Sequence, residues 1–186
     1  MANPTPLAVA SAKAGSLLEC LSDDIVKKVM HDYLVKHVDP APEYVNTPSG
    51  VMFRASGASV ICNRGEVTVE IGPFRHKEAT LWKAEIYRLL ARAAGLVYQQ
   101  HVRHIVASHG TVVQEQKSSN GILLVMAEIG SGDSAFVARI AIFPNGRIAV
   151  FADENSGKPA GESIEQLLQL LKSKGLVRDI SFTGKS

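Results

Sequence analysis

Histidines are the side chains in this sequence that could most readily do chemistry, and four of the six lie between positions 76 and 109. His101 and His104 are three residues apart, so a helix would place both imidazoles on one face. Two imidazoles at this spacing could share a metal ion, with His109 or Glu115 as a third ligand. The zinc-protease pattern instead has histidines four residues apart with a glutamate between them. The sequence therefore predicts no metal site and no cofactor, and the histidines are interpreted as surface or partly buried side chains.

Three further features could belong to catalytic or phosphate-binding sites. Ser108 is followed by His109, but adjacency in sequence does not bring a hydroxyl and a base within reach in the fold. Cys62 is predicted in a strand close to a turn, and no base is identified for it. Residues 155–163 hold glycines, a lysine and a serine before a predicted helix. Their spacing differs from that of a phosphate-binding loop, and Pro159 removes an amide donor. The sequence therefore predicts no catalytic residue.

Positive charge is concentrated in the same part of the chain as the histidines. Residues 75–109 hold six Lys or Arg and two acidic residues, whereas the whole chain has a formal charge of only +2. A stripe of cations on a helix can neutralise phosphates or bind an acidic protein. The alternative is a solvated helix face without a partner. The predicted partner-binding residues are Lys77, Lys83, Arg88, Arg92 and Arg103.

Three short turns indicate the elements that position these side chains. The turns are 63–65, 120–121 and 144–146, and each contains Asn and Gly between runs of β-branched and apolar residues. Asn and Gly accept positive φ at little steric cost, so they favour tight antiparallel hairpins. The predicted hairpins join 51–61 to 66–71, 111–116 to 122–129, and 136–143 to 147–152.

Helical periodicity surrounds these hairpins. Apolar residues recur every three to four positions over 16–37, although Ser22 could cap a shorter helix that starts near Asp23. A second helix is predicted over 77–109, where Gly95 marks either a break or a close contact. A third is predicted over 163–174 and stopped by Gly175. Residues 176–182 would form a short strand or no regular structure.

These elements predict an α+β fold in which antiparallel β-hairpins pack against amphipathic helices, in the order α-β-β-α-β-β-β-β-α. Residues 1–15 are predicted to be a flexible tail, 16–130 the main domain, and 135–186 a small ββα unit that could also pack into the same domain. The Gly- and Ser-containing segment 130–134 is the predicted boundary. How the free edges of the hairpins are covered stays open, so self-association through an edge is an alternative.

Two stretches carry a family resemblance. The first comprises 98–106, Gly110, 113–116, 120–122, Leu124 and Val125. The second comprises 139–148, Gly157, Gly161 and the leucine-rich helix at the end of the chain. The first resembles the C-terminal half of the uncharacterised cyanobacterial and plastid family called hypothetical chloroplast reading frame thirty-five. The second resembles the small domain of unknown function often encoded beside it. That small domain usually has a cysteine near the position of Gly161, where this chain has Glu162. The resemblance implies an accessory protein and supplies no activity.

The sequence favours a soluble, non-enzymatic binding or assembly protein, an adaptor that holds a protein partner on its basic helical face. A nucleic-acid-binding module using the same face is the first alternative. An enzyme with a scattered site and His101, His104 or His109 as its base is the second.

A membrane partner is not expected, since no apolar run approaches the ~18 residues of a membrane span. Two cysteines in 186 residues do not indicate a disulfide framework, so a cytoplasmic location is predicted. An N-terminal targeting segment stays an alternative.

Overall fold

A computed structural model describes residues 9–13, 17–130, 132–152 and 160–183 of the chain. The predicted α+β class is confirmed, with three α-helices and two antiparallel sheets among these residues. The helices are α1 (Asp23–Leu34), α2 (His76–His109) and α3 (Ala160–Ser173). The strands are β1 (Val9–Lys13), β2 (Glu43–Thr47), β3 (Gly50–Ala55), β4 (Ala58–Asn63), β5 (Glu66–Glu70), β6 (Gly110–Lys117), β7 (Leu123–Ile129), β8 (Phe136–Ile142), β9 (Arg147–Ala152) and β10 (Asp179–Thr183).

Residues 16–94 form one compact unit. Its four strands pair in the order β2-β3-β4-β5, all antiparallel. One face of this sheet packs against α1 and the first part of α2, through fully buried side chains such as Met30, Phe53, Val60 and Ile86. The helix α1 begins at Asp23, where the Ser22 hydroxyl accepts a hydrogen bond of 3.4 Å from the Ile25 N–H. The shorter of the two predicted helices is therefore correct, because this cap starts the helix.

The first hairpin differs from its prediction. Residues 51–61 were predicted as one strand, but Ser56 and Gly57 have φ values of 50° and 75° and turn the chain between β3 and β4. Positive φ at both central residues is what a tight two-residue hairpin turn requires. In addition, β2 forms where a loop was predicted. The predicted element order is therefore wrong in this part of the chain, because Ser56 adopts a positive φ that its residue type did not predict.

Residues 95–186 and the N-terminal segment form the second compact unit. Its six strands lie in the order β10-β1-β9-β8-β7-β6. The helix α3 packs on β8 and β9, and its Ile164, Leu168 and Leu171 are fully buried. The helix ends at Ser173, and the predicted stop Gly175 follows it with a φ of +73°, its N–H bonded to the Lys172 carbonyl. The C-terminal strand, left as an alternative by the sequence, is present as β10.

Two predicted boundaries need correction. Val9–Lys13 was assigned to a flexible tail, yet it is a strand hydrogen-bonded to β9 on one side and β10 on the other. The segment 130–134 was predicted as a boundary, with the alternative that 135–186 packs into the same domain; β7 and β8, before and after it, are neighbours in one sheet, as in that alternative. The units instead divide between residues 94 and 95, inside α2. A short segment of Ala, Ser and Lys gave no signal for a strand whose partners are more than 130 residues away in the sequence.

The helix α2 runs without interruption for 34 residues and passes through Gly95. A Cβ atom at Gly95 would overlap the carbonyl oxygen of Pro144 in the turn between β8 and β9. The close contact, rather than the helix break, is therefore the reason for this glycine. Four residues further along, the buried side chain of Gln99 donates hydrogen bonds to the carbonyls of Gly121 and Ile142.

Candidate partner-binding surfaces

The predicted basic face is not a single stripe. Lys77, Lys83, Arg88 and Arg92 are exposed on the first part of α2, whereas the half-buried Arg103 belongs to the other unit. An α-helix turns about 100° per residue, so Lys83 and Arg92 point in nearly opposite directions, about 180° apart. Lys77, Arg88 and Arg92 fall within about 60° of one another by the same geometry. The exposed cations that share one side are therefore these three.

Neighbouring carboxylates compensate part of this charge. Arg88 forms a salt bridge of 2.9 Å with Glu85, and Arg103 forms one of 2.7 Å with Glu115 on β6. Arg75 makes a two-fold hydrogen bond with Glu78, which lowers the pKa of that carboxyl. The positive surface is thus smaller than the sequence count of cations suggested.

The histidines do not converge on a site among the described residues. His101, His104 and His109 are all exposed. The Nδ1 atom of His109 lies 2.9 Å from the Ile105 carbonyl oxygen and 3.1 Å from the Ser108 hydroxyl. Within the described ranges, no group of three His, Cys, Asp or Glu side chains could hold a metal ion. Of the segment 155–163, residues 155–159 lie outside the described part of the chain.

Cys62 lies on the buried face of β4 and is 4% exposed. Burial raises the pKa of its thiol, an effect that a hydrogen bond from the Gly65 backbone opposes. Because the thiolate is the nucleophilic form, a raised pKa makes this cysteine a weak nucleophile. The side chain is therefore interpreted as part of the core.

A groove between α1 and β2 is a better candidate for binding. It encloses about 540 Å³. Its lining includes Lys27, Lys28, His31, Asp32, Tyr44 and Phe53. The strand β2 contributes one wall, at the edge of its sheet.

Aromatic contacts shape this groove. The Tyr44 ring is 40% exposed and packs edge-on against the buried Phe53, with ring centroids 5.7 Å apart. The ammonium of Lys27 lies 3.8 Å from the centroid of the Tyr44 ring. The ring of His31, on α1, also packs near Phe53, with ring centroids 6.1 Å apart. The groove therefore presents an aromatic surface with a cation held above it.

Two of the other charges of the groove, Lys28 and Asp32, pair with each other, and the carboxylate of Asp24 also lines it. Lys28 donates a hydrogen bond of 2.8 Å to Asp32, four residues later on α1. This bond lowers the pKa of the Asp32 carboxyl, and the nearby His31 adds to the effect. Asp32 is therefore ionised at neutral pH and neutralises Lys28. Lys27, by contrast, contacts a neutral ring.

Sequence reasoning missed this groove because β2 was interpreted as a loop. Residues 43–47 place two apolar residues side by side and then two polar ones, so they lack the alternation that would indicate a strand. Pro42 before them and Pro48 after them are also typical of loops. The sequence therefore did not predict on which face of a sheet the Tyr44 side chain would lie.

Comparison of this chain with protein-family models, curated proteins and solved structures finds no match. In the described part of the chain, no helix is both long and apolar enough to span a membrane.

Proposed function

We propose that the protein is a non-enzymatic adaptor that holds an extended segment of a protein partner in the groove between α1 and β2. The observation that carries this proposal is the position of the groove beside an edge strand. Among the described strands, β2 pairs only with β3, so its other side has backbone donors and acceptors available to a further strand. An extended peptide can add to such an edge through main-chain hydrogen bonds.

Tyr44 and Lys27 supply the chemistry that would select the partner. The exposed part of the Tyr44 ring offers an apolar contact for one side chain of the bound segment. Lys27 lies over that ring, while Lys28 is neutralised by Asp32. A carboxylate of the partner would therefore pair with Lys27. The proposed ligand is an extended segment in which an Asp or Glu lies close to an apolar residue.

Selection from a random peptide display library, followed by titration of a selected peptide, tests this proposal. We expect peptides with an acidic residue near an apolar one. Tyr44→Ala and Lys27→Glu should each weaken binding about tenfold or more, as truncation of a central contact does. The matched controls are Tyr87→Ala and Lys83→Glu, because both side chains are exposed on α2. Selection of no peptide, or equal loss in the controls, would contradict the proposal.

A nucleic-acid partner is the second candidate, and it is favoured by the shared orientation of Lys77, Arg88 and Arg92. Binding through these cations would weaken steeply with salt, since each neutralised phosphate releases counterions. Titration with a single-stranded oligonucleotide at several salt concentrations checks it. Arg92→Glu should reduce both the affinity and its salt dependence, and Lys83→Glu should change neither. A salt-independent affinity would exclude this candidate.

The cytoplasmic location belongs to the same proposal. It is supported by Cys20 and Cys62, which are both free thiols. The accessory role implied by the family resemblance agrees with an adaptor, and it stays a prediction.

A further inference from the structure

We propose that the protein self-associates through β6, which would pair antiparallel with β6 of a second copy. β6 is the last strand of the six-stranded sheet, and among the described strands it pairs only with β7. Six of its eight residues are exposed, so side chains on both faces of this strand lie at the surface. This inference concerns a different unit from the groove and does not depend on the proposed function.

The hydrogen bonds of the turn define which backbone groups of β6 are available. The Ser118 N–H donates to the Ile122 carbonyl oxygen over 2.9 Å. Bonded and non-bonded positions alternate along an antiparallel ladder. Since Lys117 is opposite Leu123 and Glu115 is opposite Val125, the N–H and C=O groups of Lys117 and Glu115 point away from β7. These are the groups that a second strand would meet.

The side-chain charges select one register for that pairing. With the two-fold axis at Gln116, Glu115 of each copy faces Lys117 of the other, and both residues are at hydrogen-bonding positions. Opposite charges directly across a strand pair are stabilising, and like charges are destabilising. An axis at Glu115 or at Lys117 would place like charges opposite each other. The strand is therefore self-complementary in the register centred on Gln116.

Two features limit the extent of this pairing. The register with β7 shifts between Val112 and Gln114, so a bulge at Val113 bends the strand. Glu115 also accepts a hydrogen bond of 2.7 Å from Arg103 of its own copy, so Lys117 of the second copy would share this carboxylate with Arg103. Charged residues and bulges usually protect an edge from indiscriminate pairing. Here the same charges reject other strands and match a second copy, over about the residues 114–118.

Sedimentation velocity over a range of concentrations tests the proposal with the full chain. The wild type should show a reversible monomer–dimer equilibrium. Lys117→Glu alone and Glu115→Lys alone should each dimerise about tenfold more weakly, because two opposite-charge pairs become like-charge pairs. An equimolar mixture of the two variants should recover association, since the hetero-pair again places opposite charges together.

Lys172→Glu on α3 is the matched control, because Lys172 is exposed in the same unit. It should dimerise like the wild type, and circular dichroism should show that all variants are folded. A wild type that is monomeric at every concentration would overturn the proposal. Unchanged dimerisation of both single variants, or a mixture that does not recover association, would overturn it as well.

Discussion

The side-chain amide of Gln99 donates a hydrogen bond of 2.8 Å to the main-chain carbonyl of Ile142. The same amide donates to the Gly121 carbonyl over 2.7 Å. One helical side chain thus binds the end of β8 and the turn between β6 and β7. Gln99 is only 2% exposed; its bond to Ile142 is buried and its bond to Gly121 is partly buried.

We predict that Gln99→Leu destabilises the protein by about 1–3 kcal/mol, because it leaves two carbonyl oxygens without their donor. The measurement is the free energy of unfolding in urea. Gln100→Leu is the matched control, since Gln100 is the next residue and is exposed. The control should change the stability by about 0.5 kcal/mol or less. Equal effects of the two substitutions would show that the buried hydrogen bonds are not the cause.

Gly95→Ala should also destabilise the protein, although alanine favours a helix by about 1 kcal/mol over glycine. The added methyl group would overlap the Pro144 carbonyl, which is backbone and cannot rotate away. The control is Ala84→Gly, at an exposed position of the same helix, where helix propensity alone should cost about 1 kcal/mol. Thermal unfolding measures both changes. An increase in stability of the Gly95 variant would contradict the close contact.

The Cys62 thiol should react slowly with iodoacetamide in the folded protein and rapidly in urea, because burial both shields it and raises its pKa. The raised pKa also makes a prediction about pH. The unfolded chain loses the thiol proton first, near pH 8.5, so stability should fall as the pH rises above that value.

Urea unfolding between pH 7.5 and 9.5 measures this loss of stability, which should be smaller in Cys62→Ala. A smaller slope is expected to persist in that variant, because burial and Glu19 also raise the pKa of Cys20. For the labelling prediction, fast reaction of Cys62 with iodoacetamide in the folded protein would contradict the burial of its thiol.

The turns were the part of the fold that the sequence predicted best. Arg64 and Gly65 have φ values of 48° and 82°, and Gly121 and Gly146 have values of 82° and 84°. The glycine of each turn has the positive φ that its residue type predicts, whereas Arg64 adopts positive φ against the preference of its residue type. The strand β1 was not predictable in this way. β1 pairs with β9 and β10, which are far away in the sequence, and a pattern within residues 9–13 alone cannot indicate such pairing.

The candidate site depended even less on local signals. The basic residues of α2 were visible as a charge count, but Arg103 pairs with Glu115 across 12 positions, and that contact arises only from the fold. The groove requires α1 and β2 to face each other through Lys27 and Tyr44. Neither segment has a motif that indicates binding. A groove of this kind is a property of packing, so it became apparent only from the structure.

The position of β1 between β9 and β10 has a consequence for synthesis on the ribosome. Residues 16–94 contain every described strand of their own sheet, so the pairing of those four strands needs no residue translated after them. Val9–Lys13 is translated before all of these strands but must wait for Arg147–Ala152, its neighbour in the sheet. Pairing over such a sequence distance is slow, because a long loop must close first. Of the described strands, β1 is thus translated earliest and yet is among the last to be incorporated, so it stays unpaired during most of synthesis.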